Sequence, residues 1–180
     1  MARFVALLRG VNVGRAKRVA MADLRALLGS LGYSNVRTLL NSGNAVFDGP
    51  AESQARHAQR IQAAIASKLG VDALVIVKSS KDIAAVVAGN KLTAVATNPS
   101  RLLVVLTSDA RSLAALDSIA KAQWGSEEVQ VGKHAAYVWC ADGILESKAG
   151  VAMLNGLAQS GITRNWSTVE KLHALLQSDA

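Results

Sequence analysis

Apolar positions along this chain fall into two successive rounds of strands and helices. Residues 3–8 form an apolar run of strand length, and a loop carrying Gly10, Asn12 and Gly14 follows. Leu24, Leu27, Leu28 and Leu31 recur at helical spacing, and Gly32 ends that helix as a C′ residue would. Residues 35–39 read as a second strand, Asn41-Ser42-Gly43 as a turn, and residues 44–47 as a third strand. Asp48-Gly49-Pro50 breaks the chain. Residues 52–69 then form a helix that turns Ala58, Ile61, Ile65 and Leu69 inward and closes at Gly70. A fourth strand over 73–77 completes β-α-β-β-α-β, the split βαβ order of ferredoxin-like domains.

The second round nearly repeats the first. Ser79 and Asp82 predict a capping box for a short helix over Ile83, Val86 and Val87 that ends at Gly89-Asn90. Thr97-Asn98-Pro99-Ser100 reads as a linker-like loop, and residues 101–106 as a strand. Ser108 or Asp109 caps a helix bearing Leu113, Leu116 and Ile119. Residues 127–131 and 135–140 form a hairpin about Gly132-Lys133, and residues 148–159 form a helix. Ser167-Thr168-Val169-Glu170 predicts a capping box for a last helix, which takes the place of the sixth element. The expected fold is α+β: two small ferredoxin-like subdomains of βαββα type with antiparallel or mixed sheets, spanning residues 1–78 and 79–180.

Composition narrows the class. Hydrophobic residues make up 51% of the 180 and charged residues 18%, enough to bury a core and unlike a disordered chain. Aromatics are only 4%, so that core must be aliphatic. A single Cys excludes an internal disulfide framework and a Cys-rich zinc site. The first apolar run is too short for a signal peptide, and no stretch approaches the roughly 18 apolar residues of a membrane span. A soluble cytoplasmic protein with no membrane partner is expected. The net charge is +7, and it sits at one end: residues 1–40 hold seven basic side chains against Asp23 alone. Such a field draws anions such as nucleotides, nucleic acid or acidic metabolites, unless it is only a solvated basic face.

Three polar stretches stand beside confident elements. The first, Arg9-Gly10-Val11-Asn12-Val13-Gly14-Arg15, puts glycines after a strand and before a helix N-terminus, where backbone amides can cradle an anion. It matches neither the Walker A spacing nor the dinucleotide glycine pattern. The second, Asn41-Ser42-Gly43-Asn44, is either a ligand contact or a plain hairpin turn. The third, Thr163-Arg164-Asn165-Trp166, reads as a loop that sets a guanidinium at a helix N-terminus, against the helix dipole unless an anion or carboxylate lies between; Trp166 could equally staple the helix.

These stretches carry a family resemblance. Residues 4–14, Met21-Ala22-Asp23-Leu24-Arg25, Val36-Arg37-Thr38 with Asn41-Ser42-Gly43-Asn44-Ala45-Val46-Phe47, and Thr163-Arg164-Asn165-Trp166-Ser167-Thr168-Val169-Glu170-Lys171-Leu172 resemble the bacterial family catalogued as domain of unknown function 1697. The resemblance keeps the order of the motifs and covers essentially the whole chain. It implies two small α+β subdomains packed together, and no established reaction. Ser147-Lys148 matches a serine-lysine pair that members often carry. Gly89-Asn90-Lys91 departs from the Asn-Pro-Phe-like turn often found there.

No catalytic set emerges. Cys140, between Trp139 and Ala141, reads as a small core residue. His57, His134 and His173 lack metal-ligand spacing and read as surface histidines, so no metal site is assigned. Ser147 and Lys148 are adjacent, and adjacent side chains rarely point together as a dyad needs, so Lys148 fits an anion contact better. Phe4 and Phe47 read as core, while Tyr137 and Trp139 share a strand face as either core or a stacking platform. The expected function is therefore binding of an anionic small ligand, a nucleotide or phosphorylated metabolite. Arg9, Gly10, Asn12, Gly14, Asn41, Ser42, Gly43, Asn44, Lys148, Arg164, Asn165 and Trp166 are the candidate contacts, with the first and third stretches and the Asn41 turn converging on one cleft. The competing expectation is nucleic-acid binding by the basic N-terminal region. Sequence names no cofactor, oligomeric state or reaction.

Overall fold

The computed structural model describes residues 1–15 and 17–179. The chain divides into two compact units: the first runs from Met1 to Lys81 and takes in the chain again from Ala174, and the second is Asp82–His173.

In the first unit, strands β1 (Ala2–Arg9), β2 (Ser34–Thr38), β3 (Asn44–Gly49) and β4 (Leu74–Ser79) form a sheet in the order β2-β3-β1-β4. Every neighbouring pair is antiparallel. Successive strand residues point to opposite faces, so Phe4, Ala6 and Leu8 of β1 share a face with their partners Phe47 and Ala45 of β3 and with Val75 and Val77 of β4. Helices α1 (Met21–Ser30) and α2 (Gln54–Ala64) lay Leu24, Leu27, Leu28, Ile61 and Ala64 on that face. The helix predicted over 52–69 is α2, capped by Ser53, followed by a π-helical turn at Ile65–Leu69 that Gly70 closes at φ 64°.

The second unit repeats the arrangement with β5 (Leu102–Thr107), β6 (Glu128–Val131), β7 (Ala136–Trp139) and β8 (Gly161–Asn165) in the order β6-β7-β5-β8, again antiparallel throughout. Leu103 and Val105 of β5 and Val138 of β7 pack with Leu113 of α4 (Ala110–Ala114), Leu116, and Met153 and Leu157 of α6 (Lys148–Leu157). A short α5 (Asp117–Ala120) follows α4. Helix α3 (Ser80–Ala88) precedes this sheet and α7 (Trp166–Gln177) closes the chain. The mixed helix and strand content and the two antiparallel sheets make the protein α+β, as the pattern predicts.

Several local expectations are corrected. The sixth place of the second half is a strand, β8, and not a helix. Thr163, Arg164 and Asn165 therefore lie on a strand rather than a loop, with Arg164 opposite Val104 of β5. The final helix opens at Trp166 because Asn165 caps it: its Oδ1 accepts the Thr168 N–H at 2.9 Å and the Thr168 hydroxyl at 3.0 Å. The predicted Ser167 capping box is not used. Asp109, not Ser108, caps α4 by accepting the Ser112 N–H at 2.7 Å. The chain's end belongs to the first unit because two arginines hold the last turn of α7, whose carbonyls have no intrahelical donors. Arg37 donates to the Leu175 carbonyl at 3.0 Å, and Arg3 to the carbonyls of Leu176 and Ser178.

Candidate functional site

The first two polar stretches meet in the first unit, and Asn12 joins them. It adopts φ 56°, a left-handed conformation that asparagine tolerates better than most residues. Its backbone N–H donates to the Lys17 carbonyl at 2.9 Å. Its side chain brackets Val19, accepting the Val19 N–H and donating to the Val19 carbonyl, both at 2.9 Å. The same Nδ2 donates to the Asn41 carbonyl at 2.6 Å. The loop after β1 is thus folded back on itself and tied to the β2–β3 turn, while buried Val11 and Val19 anchor it to the core.

The turn is equally determined. The Leu8 N–H donates to the Gly43 carbonyl at 2.8 Å, which ends β1 against the turn. Gly43 has φ 85°, and a Cβ there would stand 2.7 Å from Leu8 Cβ and 2.9 Å from Val11 Cγ2, so only glycine fits. Asn44 is fully buried, and its Nδ2 donates to the Leu39 carbonyl at 2.9 Å and to the Ser42 hydroxyl at 3.0 Å. Leu40 is held at φ 59° with half its surface exposed, an uncommon state for a branched apolar residue. Asn12, Lys17 and Leu40 are three of the five non-glycine residues with positive φ among the described residues, so backbone strain concentrates here. Such strain persists where surrounding contacts over-determine it, often at binding sites.

Between loop and turn lies a pocket of about 520 Å³ lined by Asn12, Arg18, Val19, Ala20, Met21 and Asn41. It opens at the N-terminus of α1. Ala20 occupies the N-cap position with extended backbone and no side-chain hydrogen bond to the first turn. The leading N–H groups of a helix carry partial positive charge and need partners. Arg18 and Asn41 are exposed at this pocket, adding a guanidinium and an amide. Of the contacts expected from sequence, Asn12 and Asn41 line this pocket. Arg18, Val19, Ala20 and Met21 also line it and were not among the expected contacts, since they lie beyond the glycine-marked stretch; an arginine three residues ahead of the helix was the available signal.

The remaining candidates lie in the second unit and have local duties. Asn165 caps α7, and Trp166 is buried as its first residue. Arg164 is partly buried and donates to the Thr163 carbonyl at 2.8 Å. Burial lowers its guanidinium to about 10, which leaves it charged at neutral pH. The N-terminus of α6 already has its anion. Glu127 accepts the Ser147 hydroxyl, the Lys148 N–H at 2.9 Å and the Ala149 N–H at 3.3 Å, while Ser147 Oγ accepts the Gly150 N–H at 3.0 Å. Ser147 is buried in this cap and Lys148 projects into solvent, so the pair is not arranged as a dyad. Cys140 is buried, its thiol donating to the Val138 carbonyl at 3.6 Å, and burial pushes its pKa up, away from thiolate chemistry.

Two further sequence expectations resolve. His57, expected on the surface, is fully buried among Phe4, Tyr33 and Phe47. Tyr137 and Trp139 are both core, the Tyr137 hydroxyl donating to the Val86 carbonyl at 2.5 Å; burial pushes that phenol up to about 12. They offer no exposed platform for bases.

An α+β chain of two antiparallel four-stranded sheets, with a strained loop and turn framing a helix N-terminus, is the class that fold and pocket define. The chain belongs to the family described as protein of unknown function DUF1697, whose sequence profile matches residues 1–137. The Thr163–Leu172 part of the resemblance lies beyond that match. Among solved structures, the chain is similar to the conserved bacterial protein SP0830 from Streptococcus pneumoniae, with a TM-score of 0.79 and 21% identity over 98% of this chain and 99% of that one. At that identity the likeness concerns the fold. No curated protein matches the chain. No helix among the described residues is long and apolar enough to cross a membrane.

Proposed function

We propose that the protein binds an anionic small ligand, a nucleotide or phosphorylated metabolite, in the pocket at the start of α1, and that it does so in the cytoplasm. One observation carries the reading: the uncapped first turn of α1 opens into a pocket that also presents Arg18 and the Asn41 amide. A phosphate there would take backbone N–H groups and the positive end of the helix dipole. Arg18 would add a forked, charge-assisted contact, and Asn41 would read a neighbouring polar group. Asn12, Gly43 and Asn44 would act as positioning residues. The strand orders β2-β3-β1-β4 and β6-β7-β5-β8 support reading both units as ferredoxin-like.

The residues lining the pocket supply binding and electrostatic stabilisation; none is a carboxylate, imidazole, hydroxyl or thiol that would act as a base or nucleophile. A thermal-shift screen of nucleotides and phosphosugars tests the proposal. A ligand at 100 times its dissociation constant adds about 2.7 kcal/mol of stability, and Arg18→Ala should abolish the shift while leaving the melting temperature of the free protein unchanged.

The second reading is nucleic-acid binding, favoured by the exposed cations Arg15, Lys17 and Arg18 in one loop. It requires affinity that falls steeply with salt as phosphate contacts release counterions. A gel shift lost at raised salt, with no response to mononucleotides, would favour it.

A further inference from the structure

We propose that the ligand of the α1 pocket is a nucleotide, its base held against an apolar rim made by Val13 and Leu40 while its phosphate takes the first turn of the helix; the inference rests on the anion-site reading above and names its ligand. Among the described residues of the first unit, the large apolar side chains left exposed are Met1, Val13 and Leu40. Val13 is 72% exposed and Leu40 52%. Each adjoins in sequence a residue that lines the pocket, Asn12 or Asn41, and those two are tied by the 2.6 Å bond from Asn12 Nδ2 to the Asn41 carbonyl. Single exposed apolar residues are ordinary on a protein surface. These two come from different segments and each stands one residue, about 3.8 Å of chain, from the same tie. Leu40 is also held in place. The Leu39 N–H donates to the Asn44 carbonyl at 3.0 Å, the Leu39 carbonyl accepts Asn44 Nδ2 at 2.9 Å, and Asn41 is fixed by Asn12. A leucine at φ 59° is thus presented to solvent on backbone bonded on both sides, as a wall and not as a loose tip.

The pocket selects the occupant. Its lining is cationic at Arg18 and apolar at Val19, Ala20 and Met21. Asp23, the acid of the first turn of α1, lines a separate hollow with Ser30 and Lys68, so no carboxylate in this lining opposes an anion. A volume of about 520 Å³ suits a small organic molecule and is far more than a bare phosphate fills. A phosphosugar would set hydroxyls against Val13, Leu40 and Met21, where they lose water and gain no good partner. A nucleobase brings a flat apolar face instead. Met21 suits it, because a thioether packs favourably against an aromatic ring. The exposed Asn41 amide sets a donor beside an acceptor, the pairing that reads a base edge. Phosphate, base face and base edge each meet a different part of one site.

Calorimetric titration of the full chain with AMP, CMP, ribose 5-phosphate and inorganic phosphate tests this, read beside methyl ¹H–¹³C spectra. AMP or CMP should bind at least about tenfold more tightly than ribose 5-phosphate, the factor that one well-buried apolar contact commonly gives. Ring-current shifts at the Val13 and Leu40 methyls should locate the base. Leu40→Asn suits the left-handed backbone and Val13→Ser alters an exposed side chain, so both variants should melt as the wild type does. Each should lower nucleotide affinity severalfold and leave that for ribose 5-phosphate as it was. Nucleotides and ribose 5-phosphate bound equally, or weakened alike by Leu40→Asn, overturn the nucleotide inference and leave the anion site standing. No binding by any of the four compounds overturns the anion site and the inference with it, whether or not the chain then binds a short oligonucleotide.

Discussion

The side-chain amide of Asn12 donates to the backbone carbonyl of Asn41 at 2.6 Å, joining two segments that lie 29 residues apart in sequence. The same side chain holds both the N–H and the carbonyl of Val19, one residue before the N-cap of α1. One asparagine therefore fixes the β2–β3 turn, the loop after β1 and the approach to the helix N-terminus. Its left-handed backbone turns the chain back so that all three bonds are possible.

Asn12→Ala should lose these side-chain bonds together. It should destabilise the protein by about 2 kcal/mol, the scale expected when partly buried backbone groups lose their partners. Asn12→Asp keeps the acceptor for Val19 N–H and loses the donors, so it should fall between wild type and alanine. Urea unfolding of the three proteins checks the order.

Gly43→Ala is expected to be as damaging despite adding one methyl. The new Cβ meets Leu8 and Val11 at under 3 Å, and φ 85° is hostile to any L side chain. Overpacking and backbone strain together should cost about 2–4 kcal/mol in urea unfolding. Gly10→Ala, with nothing within 4 Å of its Cβ, should cost less, since only the φ of 80° opposes it.

Tyr33 and His57 form a buried pair whose proton positions follow from their partners. The Pro50 carbonyl, 3.1 Å from His57 Nε2, can only accept, so Nε2 carries the proton. Nδ1 is then the acceptor for the Tyr33 hydroxyl at 2.8 Å. Tyr33→Phe keeps the tilted ring contact with Phe47 but leaves Nδ1 buried without its donor, at a cost of about 1–3 kcal/mol. Thermal unfolding of Tyr33→Phe with and without His57→Gln should show strong non-additivity.

Asp48 links the end of α7 to pH. The Arg3 guanidinium, at 2.9 Å, holds its carboxyl below the usual range against the opposing effect of burial, with a further hydrogen bond from Asn35. A carboxyl lowered on folding contributes stability that is present above its unfolded pKa and is lost as pH falls through the folded value. Wild type should therefore lose stability below about pH 4 more steeply than Asp48→Asn. Because Arg3 also binds the carbonyls of Leu176 and Ser178, hydrogen exchange at 175–179 should accelerate in Asp48→Asn.

The sheets and their helices were legible where residues are apolar and periodic. The run through β1 and the leucines of α1 each name their element and inward face. Strand β8 escaped because Ile162 is its one aliphatic side chain; Gly161, Thr163, Arg164 and Asn165 become a strand only through pairing with β5. Burial of His57 escaped for the same reason, since Phe4, Tyr33 and Phe47 reach it from three different segments. Polar residues among glycines pointed to Asn12 and Asn41, which the fold brings to the lining of one pocket. Sequence does not separate a residue that lines a pocket from one that shapes it, and Asn44, fully buried, proves to be the second kind.

The most direct test is a ¹⁵N–¹H NMR titration of the full chain with AMP and, separately, with inorganic phosphate. Saturable shifts should appear at the backbone amides of Met21, Ala22 and Asp23, with smaller ones at Asn41, and Arg18→Ala should remove them without disturbing the rest of the spectrum. Shifts absent from the first turn of α1, spread evenly over all exposed basic residues, or unchanged in Arg18→Ala would contradict the proposed site.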